Sequence, residues 1–316
     1  MTSTVINEEP AAPAIVKASR RRSARSRFSI GRAVSWTYLT LFLAVTLFPF
    51  YWILRTALSN NYSLIRDPTS LLPVGLTLGA FERVLGLASP AQAIAQGGSG
   101  AAIDLGLYIR NSVIYASVLT VLVVFCSLLA AYAFARLHWR GRNLVFSLFL
   151  GALMIPGIMT LLPNFVLIHD LGLTNTFAGL VLPGALFSAF SIFFLRQFML
   201  GLPSEIEDAA LIDGLGPFMM LFRITVPMAS GPLVTLSLLN FINAWNDYFW
   251  PLMIANDPSV RPLTVALGVF QQASRQTEPD FAGLMAAALV AALPIFLLFT
   301  VFGKRVVNSI GFTGIK

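Results

Sequence analysis

The sequence predicts an all-α membrane protein with six transmembrane helices, and three observations predict it. First, the 316 residues are 57% hydrophobic and only 11% charged, with a mean hydropathy of +0.78. Soluble domains carry about 25% charged residues, so this chain has too little charge to cover a water-facing surface. Second, the apolar residues come in six blocks: Ala33–Leu54, Ser112–Ala135, Leu144–Ile168, Phe177–Leu200, Pro232–Ala255 and Gly283–Phe302. Each holds about 20–25 residues, which at about 1.5 Å per residue matches a hydrocarbon core roughly 30 Å thick. Third, no block alternates polar and apolar residues with period two, which argues against a transmembrane β-barrel.

The charges between the blocks set an orientation. Lys17, Arg20, Arg21, Arg22, Arg25, Arg27 and Arg32 precede the first block, and Arg136, Arg140 and Arg142 lie between the second and third. With Arg196, Arg223, Lys304, Arg305 and Lys316, fifteen of the chain's cations fall on one side and six on the other. The positive-inside rule makes the fifteen-cation side cytoplasmic, with both termini there. The net charge of +7 is then a topology signal, and no nucleic-acid partner is expected. Residues 1–32 read as a disordered basic cytoplasmic tail, 33–303 as the transmembrane domain and 304–316 as a second cytoplasmic tail. The single cysteine, Cys126, lies inside an apolar block and offers no intrachain disulfide.

Two outward segments are long. Residues 59–106 hold a Gly-Gly-Ser-Gly tract and are expected to pack little core of their own; residues 256–281 are polar and read as a loop. Pro156, Pro163, Pro183 and Pro294 lie in or near helices three, four and six, where each removes a backbone hydrogen bond and can kink its helix.

The cytoplasmic segment 201–228 between helices four and five is the most informative. Four of fourteen acids sit there: Glu205, Glu207, Asp208 and Asp213. Ser204 with Glu207 three residues on is a capping-box pattern, which starts a short helix at Ser204. Gly214 is placed to end it in a left-handed conformation, Pro217 to open a second short helix and Pro227 to stop that one. Ala209 and Ala210 give the first helix a narrow surface that another protein's backbone can approach.

The run Glu207-Asp208-Ala209-Ala210-x-x-Asp213-Gly214, followed by Phe222-Arg223-Ile224-x-x-Pro227, resembles the "EAA" loop of permease subunits in binding-protein-dependent ABC importers. The resemblance extends to Ala244-Trp245-Asn246-Asp247-Tyr-Phe-Trp-Pro251-Leu252 and to Gly172-Leu173-x-Asn175-Thr176, over residues 35–315. It is most similar to the smaller, six-helix partner of the carbohydrate-uptake, maltose-type group. Asp208 stands where that family usually has Glu, and Leu215 where it has Ala; the Ala/Gly-rich stretch 88–106 is longer than usual.

The resemblance implies a bacterial inner-membrane subunit forming half of a translocation pore. Its partners would be a second homologous permease, two ATPase subunits and an extracytoplasmic solute-binding protein, all embedded in or beside membrane lipid. Asp208, Ala209 and Ala210, with Glu207 before them, would meet the ATPase, and Asp213 and Gly214 would form the turn behind. ATP and Mg would bind on the ATPases. This chain has no G-x-x-x-x-G-K-[ST], and its only Gly-Lys pair, Gly303-Lys304, continues into Arg305. The segment 256–281 would reach toward the solute-binding protein.

Trp245, Asn246, Asp247 and Tyr248, with Trp250, have the aromatic and hydrogen-bonding chemistry of a sugar pathway; the alternative is a polar contact between helices or an interfacial aromatic belt. Asn164, His169 and Asp170 are candidates for an outer gate. A stand-alone secondary transporter or channel is the rival reading, but it would place ionisable residues at the helix centres, and no internal repeat supports it. A non-sugar solute such as a polyol or glycerol phosphate is a further alternative. With neither H-E-x-x-H nor G-x-S-x-G, the chain is not read as an enzyme.

Overall fold

The computed structural model describes residues 30–98, 103–186, 188–276 and 279–311. The basic residues Lys17–Arg27, the end of the Gly-Gly-Ser-Gly tract and Lys316 lie outside them. The chain starts with α1 (Ile30–Ala57), three short helices α2 (Asn61–Arg66), α3 (Gly79–Val84) and α4 (Pro90–Ala95), and the 31-residue α5 (Leu105–Ala135). Next come α6 (Arg142–Ala152), α7 (Gly157–Asp170), α8 (Phe177–Ala185), α9 (Ala189–Leu200) and α10 (Ser204–Ile212). A segment α11 (Pro217–Met220), a π-helical turn (Leu221–Thr225) and α12 (Val226–Met228) leads into α13 (Ser230–Trp245), α14 (Phe249–Ile254), α15 (Leu263–Gln276) and α16 (Phe281–Gly311). No strand occurs among the described residues.

Contacts divide the chain into two units at Pro49/Phe50. In the first, α1 exposes Val34, Trp36, Tyr38, Phe42 and Val45, while Ser35 and Thr46 satisfy their hydroxyls on the Gly31 and Phe42 carbonyls one turn back. A helix that is apolar all round with its polar groups closed on itself is suited to lipid.

Three helices are long and apolar enough to cross a membrane alone: Gly31–Ala57, Leu105–Ala135 and Phe281–Gly303. Three bent pairs join them among the described residues: Arg142–Ala152 with Gly157–Asp170, Phe177–Ala185 with Ala189–Leu200, and Pro217–Met228 with Ser230–Trp245. With each pair counted as one span the total is six, and the last pair starts and ends earlier than the expected fifth block, Pro232–Ala255. The third helix, where Pro156 allows the expected kink, is α6 and α7, bent by 100° where Pro156 caps α7 and denies the chain a continuing hydrogen bond. Helix five stops at Trp245 and resumes at Phe249. Pro163, Pro183 and Pro294 lie inside unbroken helices, so a proline alone does not dictate a break.

In the second unit α5 is the axis, packed against α8, α9 and α13. Its buried face includes Ser112, Ala116, Thr120, Ser127, Ala131 and Ala135, small side chains that let helices approach closely in lipid, where apolar contact alone supplies little drive. Ala282, Ala286 and Ala287 do the same at the start of α16.

Both outward segments depart from expectation. Residues 59–98 are folded onto the N-terminus of α16: Ala80, Val84 and Ile103 share one buried cluster with Ala282 and Ala286. Asn61 Nδ2 donates to the carbonyls of Gly97 (2.7 Å) and Pro279 (2.9 Å). Arg83 makes a two-pronged pair with Asp280, Nη2 to Oδ1 at 2.9 Å and Nε to Oδ2 at 3.2 Å, and Asp280 Oδ1 accepts the Gly283 N–H. The proline, glycine and Gly-Gly-Ser-Gly content suggests little core; buried hydrogen bonds together with the packing of Ala80 and Val84 fix the segment. The segment 256–281 is mostly α15, which buries Leu263, Val265, Ala266 and Phe270.

Candidate functional site

The first candidate site is α10 with the turn that follows it. The helix starts at Ser204 as expected, but its N-cap is Pro203 and no side chain caps it. Glu207 is engaged elsewhere: its Oε1 lies 2.9 Å from Arg136 Nε, both side chains being 14% exposed. In a capping box that carboxylate would accept the Ser204 backbone N–H; here the nearby guanidinium holds it instead. Glu205 and Glu207 still lie in the first turn, where acids suit the helix dipole.

At the other end Leu215 N–H bonds the Ala210 carbonyl and Gly214 N–H the Leu211 carbonyl, the hydrogen bonds of a Schellman motif. Gly214 has φ +79°, and a Cβ built on it would meet nothing within 4 Å. The demand for glycine there is therefore conformational and not steric. Pro217 opens α11, as its spacing predicts. Pro227 does not stop the segment: it sits in α12, one residue before the 82° bend into α13. The π-helical turn before it widens the backbone where a proline would otherwise crowd the carbonyl four residues back.

Of the six residues assigned to this site, Asp208, Ala209, Asp213 and Gly214 are exposed. Glu207 is half-buried and Ala210 is only 5% exposed, since residues three apart share the helix face turned to the bundle. Ala210 is thus a packing residue and not a docking surface, contrary to the expectation. Two apolar residues missed in the sequence stand beside the acids: Ile212, 87% exposed, and Phe218, whose ring packs tilted by 55° against Phe222 with centroids 4.8 Å apart. Arg136 was also missed. It was counted as one more topology charge, yet it caps α5 and donates from Nη2 to the carbonyls of Met199 (2.8 Å) and Leu202 (3.0 Å).

The second candidate site is the joint Asn246–Tyr248 in helix five, and its residues diverge. Trp245 Nε1 donates to the Ala291 carbonyl at 3.2 Å, and Asn246 Nδ2 to Ile242 at 2.8 Å. Both line an apolar cavity of about 530 Å³ with Phe50, Leu263, Ile295 and Phe296. Asp247 faces another cavity, of about 300 Å³, walled by Tyr115, Thr160, Asn164, Pro183 and Trp250. Tyr115 donates to Asp247 Oδ2 at 2.9 Å, and Trp250 Nε1 to the Leu180 carbonyl at 3.0 Å. Tyr248 lies over α15 at Gly268, where a Cβ would sit 3.0 Å from its hydroxyl oxygen. Of the proposed gate, only Asn164 reaches this cavity; His169 and Asp170 are exposed side by side.

The joint is buttressed by the turn that carries Gly172 (φ +67°) and Asn175 (φ +57°). Asn175 donates its N–H to the Ile254 carbonyl, and its Oδ1 accepts the N–H groups of Asn256 (2.7 Å) and Asp257 (2.9 Å). Thr176 caps α8 through Gly179 at 3.0 Å. The left-handed conformation suits asparagine among non-glycine residues.

Residues 123–311 match the family described as binding-protein-dependent transport system inner membrane component. The chain is 30% identical to the inner membrane ABC transporter permease protein YcjP of Escherichia coli, over 93% of this chain and 99% of that one. It is 29% identical to the diacetylchitobiose uptake system permease protein NgcG of Streptomyces coelicolor (88% and 87% covered). It is 28% identical to the arabinooligosaccharides transport system permease protein AraQ of Bacillus subtilis (92% and 98% covered). A crystal structure of a bacterial ABC transporter involved in the import of the acidic polysaccharide alginate shares the fold, with a TM-score of 0.70 and 24% identity over 87% of this chain and 96% of that one. With the bent-pair bundle and the exposed α10 turn already described, these matches show that the chain belongs to the family of inner membrane components of binding-protein-dependent transport systems, as an ABC importer permease.

Proposed function

We propose that this permease subunit imports a neutral sugar or oligosaccharide, and that α10 with its Gly214 turn is where ATPase subunits drive it. Relatives whose names specify diacetylchitobiose and arabinooligosaccharides support a carbohydrate cargo. The observation that carries the choice is the cavity at the helix-five joint. Its lining includes a carboxylate (Asp247), an amide (Asn164), hydroxyls (Tyr115, Thr160) and an indole (Trp250), and among the described residues no lysine or arginine. Amide and carboxylate groups bind hydroxyls and an aromatic face stacks on a sugar ring, whereas a phosphate ester would call for a cation. That weighs against glycerol phosphate, although a relative named as a sn-glycerol-3-phosphate permease, from Brucella abortus, is 27% identical.

In this reading the chain pairs with a second homologous permease, two ATPases holding ATP and Mg, and a solute-binding protein near residues 256–281. Asp208, Ala209, Asp213 and Gly214 present the docking surface, extended by Ile212 and Phe218. The α10 end of the bundle and both termini face the cytoplasm in this reading, which the cation asymmetry supports. The test is reconstitution of the assembled transporter in liposomes with a panel of labelled neutral oligosaccharides and glycerol phosphate. ATP-dependent uptake of an oligosaccharide is expected. Uptake by this chain alone on an ion gradient, or uptake of glycerol phosphate only, overturns the proposal.

A further inference from the structure

We infer that Arg136 is a positioning residue: a strut that makes α10 move as one body with α5 and α9. The inference rests on the reading of α10 as the element that ATPases push. Arg136 stands at the end of α5, and this one residue joins three stretches of chain, two of them through its guanidinium. Its backbone closes α5 by donating to the Tyr132 carbonyl, its Nη2 holds the carbonyls of Met199 and Leu202 at the end of α9, and its Nε faces Glu207 in α10. The planar fork of arginine suits this use; a lysine ammonium, a single point of charge, cannot span the same acceptors.

The second attachment is apolar. Leu221, in the π-helical turn beyond α10, is buried in one cluster with Leu128, Ala131, Tyr132 and Ala135 of α5 and Leu195 and Met199 of α9. The exposed surface from Asp208 to Phe218 is therefore pinned on both flanks to the same two helices. Between the pins lies the Gly214 turn, which has open space around it and nothing of its own to transmit force. Packing at Leu221 holds the far flank; on the near flank α10 itself is held by its buried Ala210 and, one turn earlier, by the Arg136–Glu207 pair, its charged link to the bundle. A displacement of α10 would otherwise be absorbed in the short link 201–203.

Pulsed EPR on the assembled transporter in nanodiscs tests this. In a Cys126→Ala background, spin labels go on Leu211→Cys in α10 and Val121→Cys in α5, both exposed positions. Val121 lies roughly 22 Å along the helix from Arg136, a workable range. A control pair joins Val121→Cys to Leu297→Cys on α16. One narrow α5–α10 distance is expected with and without bound ATP. Glu207→Gln and Arg136→Met should each broaden that distribution about twofold while the control pair stays narrow, and Arg136→Lys should fall between Arg136→Met and the unmodified residue. An α5–α10 distance that stays narrow in both Arg136→Met and Glu207→Gln overturns the strut. So does broadening of both pairs in Glu207→Gln, which would mean general loosening. The Leu211 label also reports docking by its mobility. If ATPase subunits leave it mobile while the distance behaves as expected, the docking reading fails and the strut stands.

Discussion

The Tyr115 hydroxyl donates to Oδ2 of Asp247 at 2.9 Å, tying the long helix α5 to the unwound joint of helix five. Asp247 immediately precedes Tyr248, the N-cap of α14, so the bond anchors the start of that helix to α5. Tyr115→Phe removes it, at about 1 kcal/mol for a hydrogen bond between helices in a membrane. Asp247→Ala also leaves the buried Tyr115 hydroxyl without its acceptor and should lower the thermal unfolding midpoint in detergent by clearly more. Equal midpoints for the two variants would contradict the anchoring role.

Gly214 should discriminate by backbone conformation alone. Valine at φ +79° costs roughly 1–2 kcal/mol, whereas asparagine tolerates the left-handed region. Gly214→Val is expected to abolish ATP-driven uptake with the helices still inserted, and Gly214→Asn to retain most of it. Normal uptake by Gly214→Val would remove the turn from the coupling mechanism.

The buried Arg83–Asp280 pair holds the segment 59–98 to α16. Removing one partner of such a pair costs about 3–5 kcal/mol, because the other charge stays buried. Asp280→Ala should be worse than Arg83→Met, since Asp280 also accepts the Gly283 N–H. Limited proteolysis should cut residues 59–98 much faster in both variants.

Two glycines of α8 should separate under the same small change. A Cβ on Gly179 would run into the Leu173 carbonyl oxygen, a backbone atom already accepting the Thr176 hydroxyl at 2.7 Å. A Cβ on Gly184 would meet only the branch tips of Leu119, the nearer at 3.2 Å. Overpacking costs typically about 1–3 kcal/mol, so Gly179→Ala should lower yield and unfolding temperature while Gly184→Ala stays close to the parent. Size-exclusion profiles and thermal melts of the two variants check this.

Six apolar blocks were legible because bilayer thickness writes itself into block length. Pro156 marked where the third block can kink, but the break at Asn246–Tyr248 was not legible, because a hydropathy window averages over it as if the helix ran on. The Gly214 turn could be read from spacing, since the left-handed cap depends on local backbone geometry. Glu207 could not: its choice between Ser204 and Arg136 is decided by a residue 71 positions earlier. Trp245 and Asp247 looked like one cluster because they are two residues apart, yet the loss of helical register at the joint points them into different cavities. The order in residues 59–98 was invisible for a related reason, as its partners are polar groups near residue 280.

Those partners have a consequence for biosynthesis. Asn61 and Arg83 emerge from the ribosome about two hundred residues before Pro279 and Asp280, the groups that satisfy them. Until the last helix is inserted, Arg83 lacks its carboxylate and keeps only Gln96, and Asn61 keeps only the Gly97 carbonyl. A chain truncated ahead of residue 279 can insert its earlier spans but cannot close this seam. Closure thus reports completion of the whole subunit, and a protease that recognises the open face would discard unfinished copies before they join an assembly.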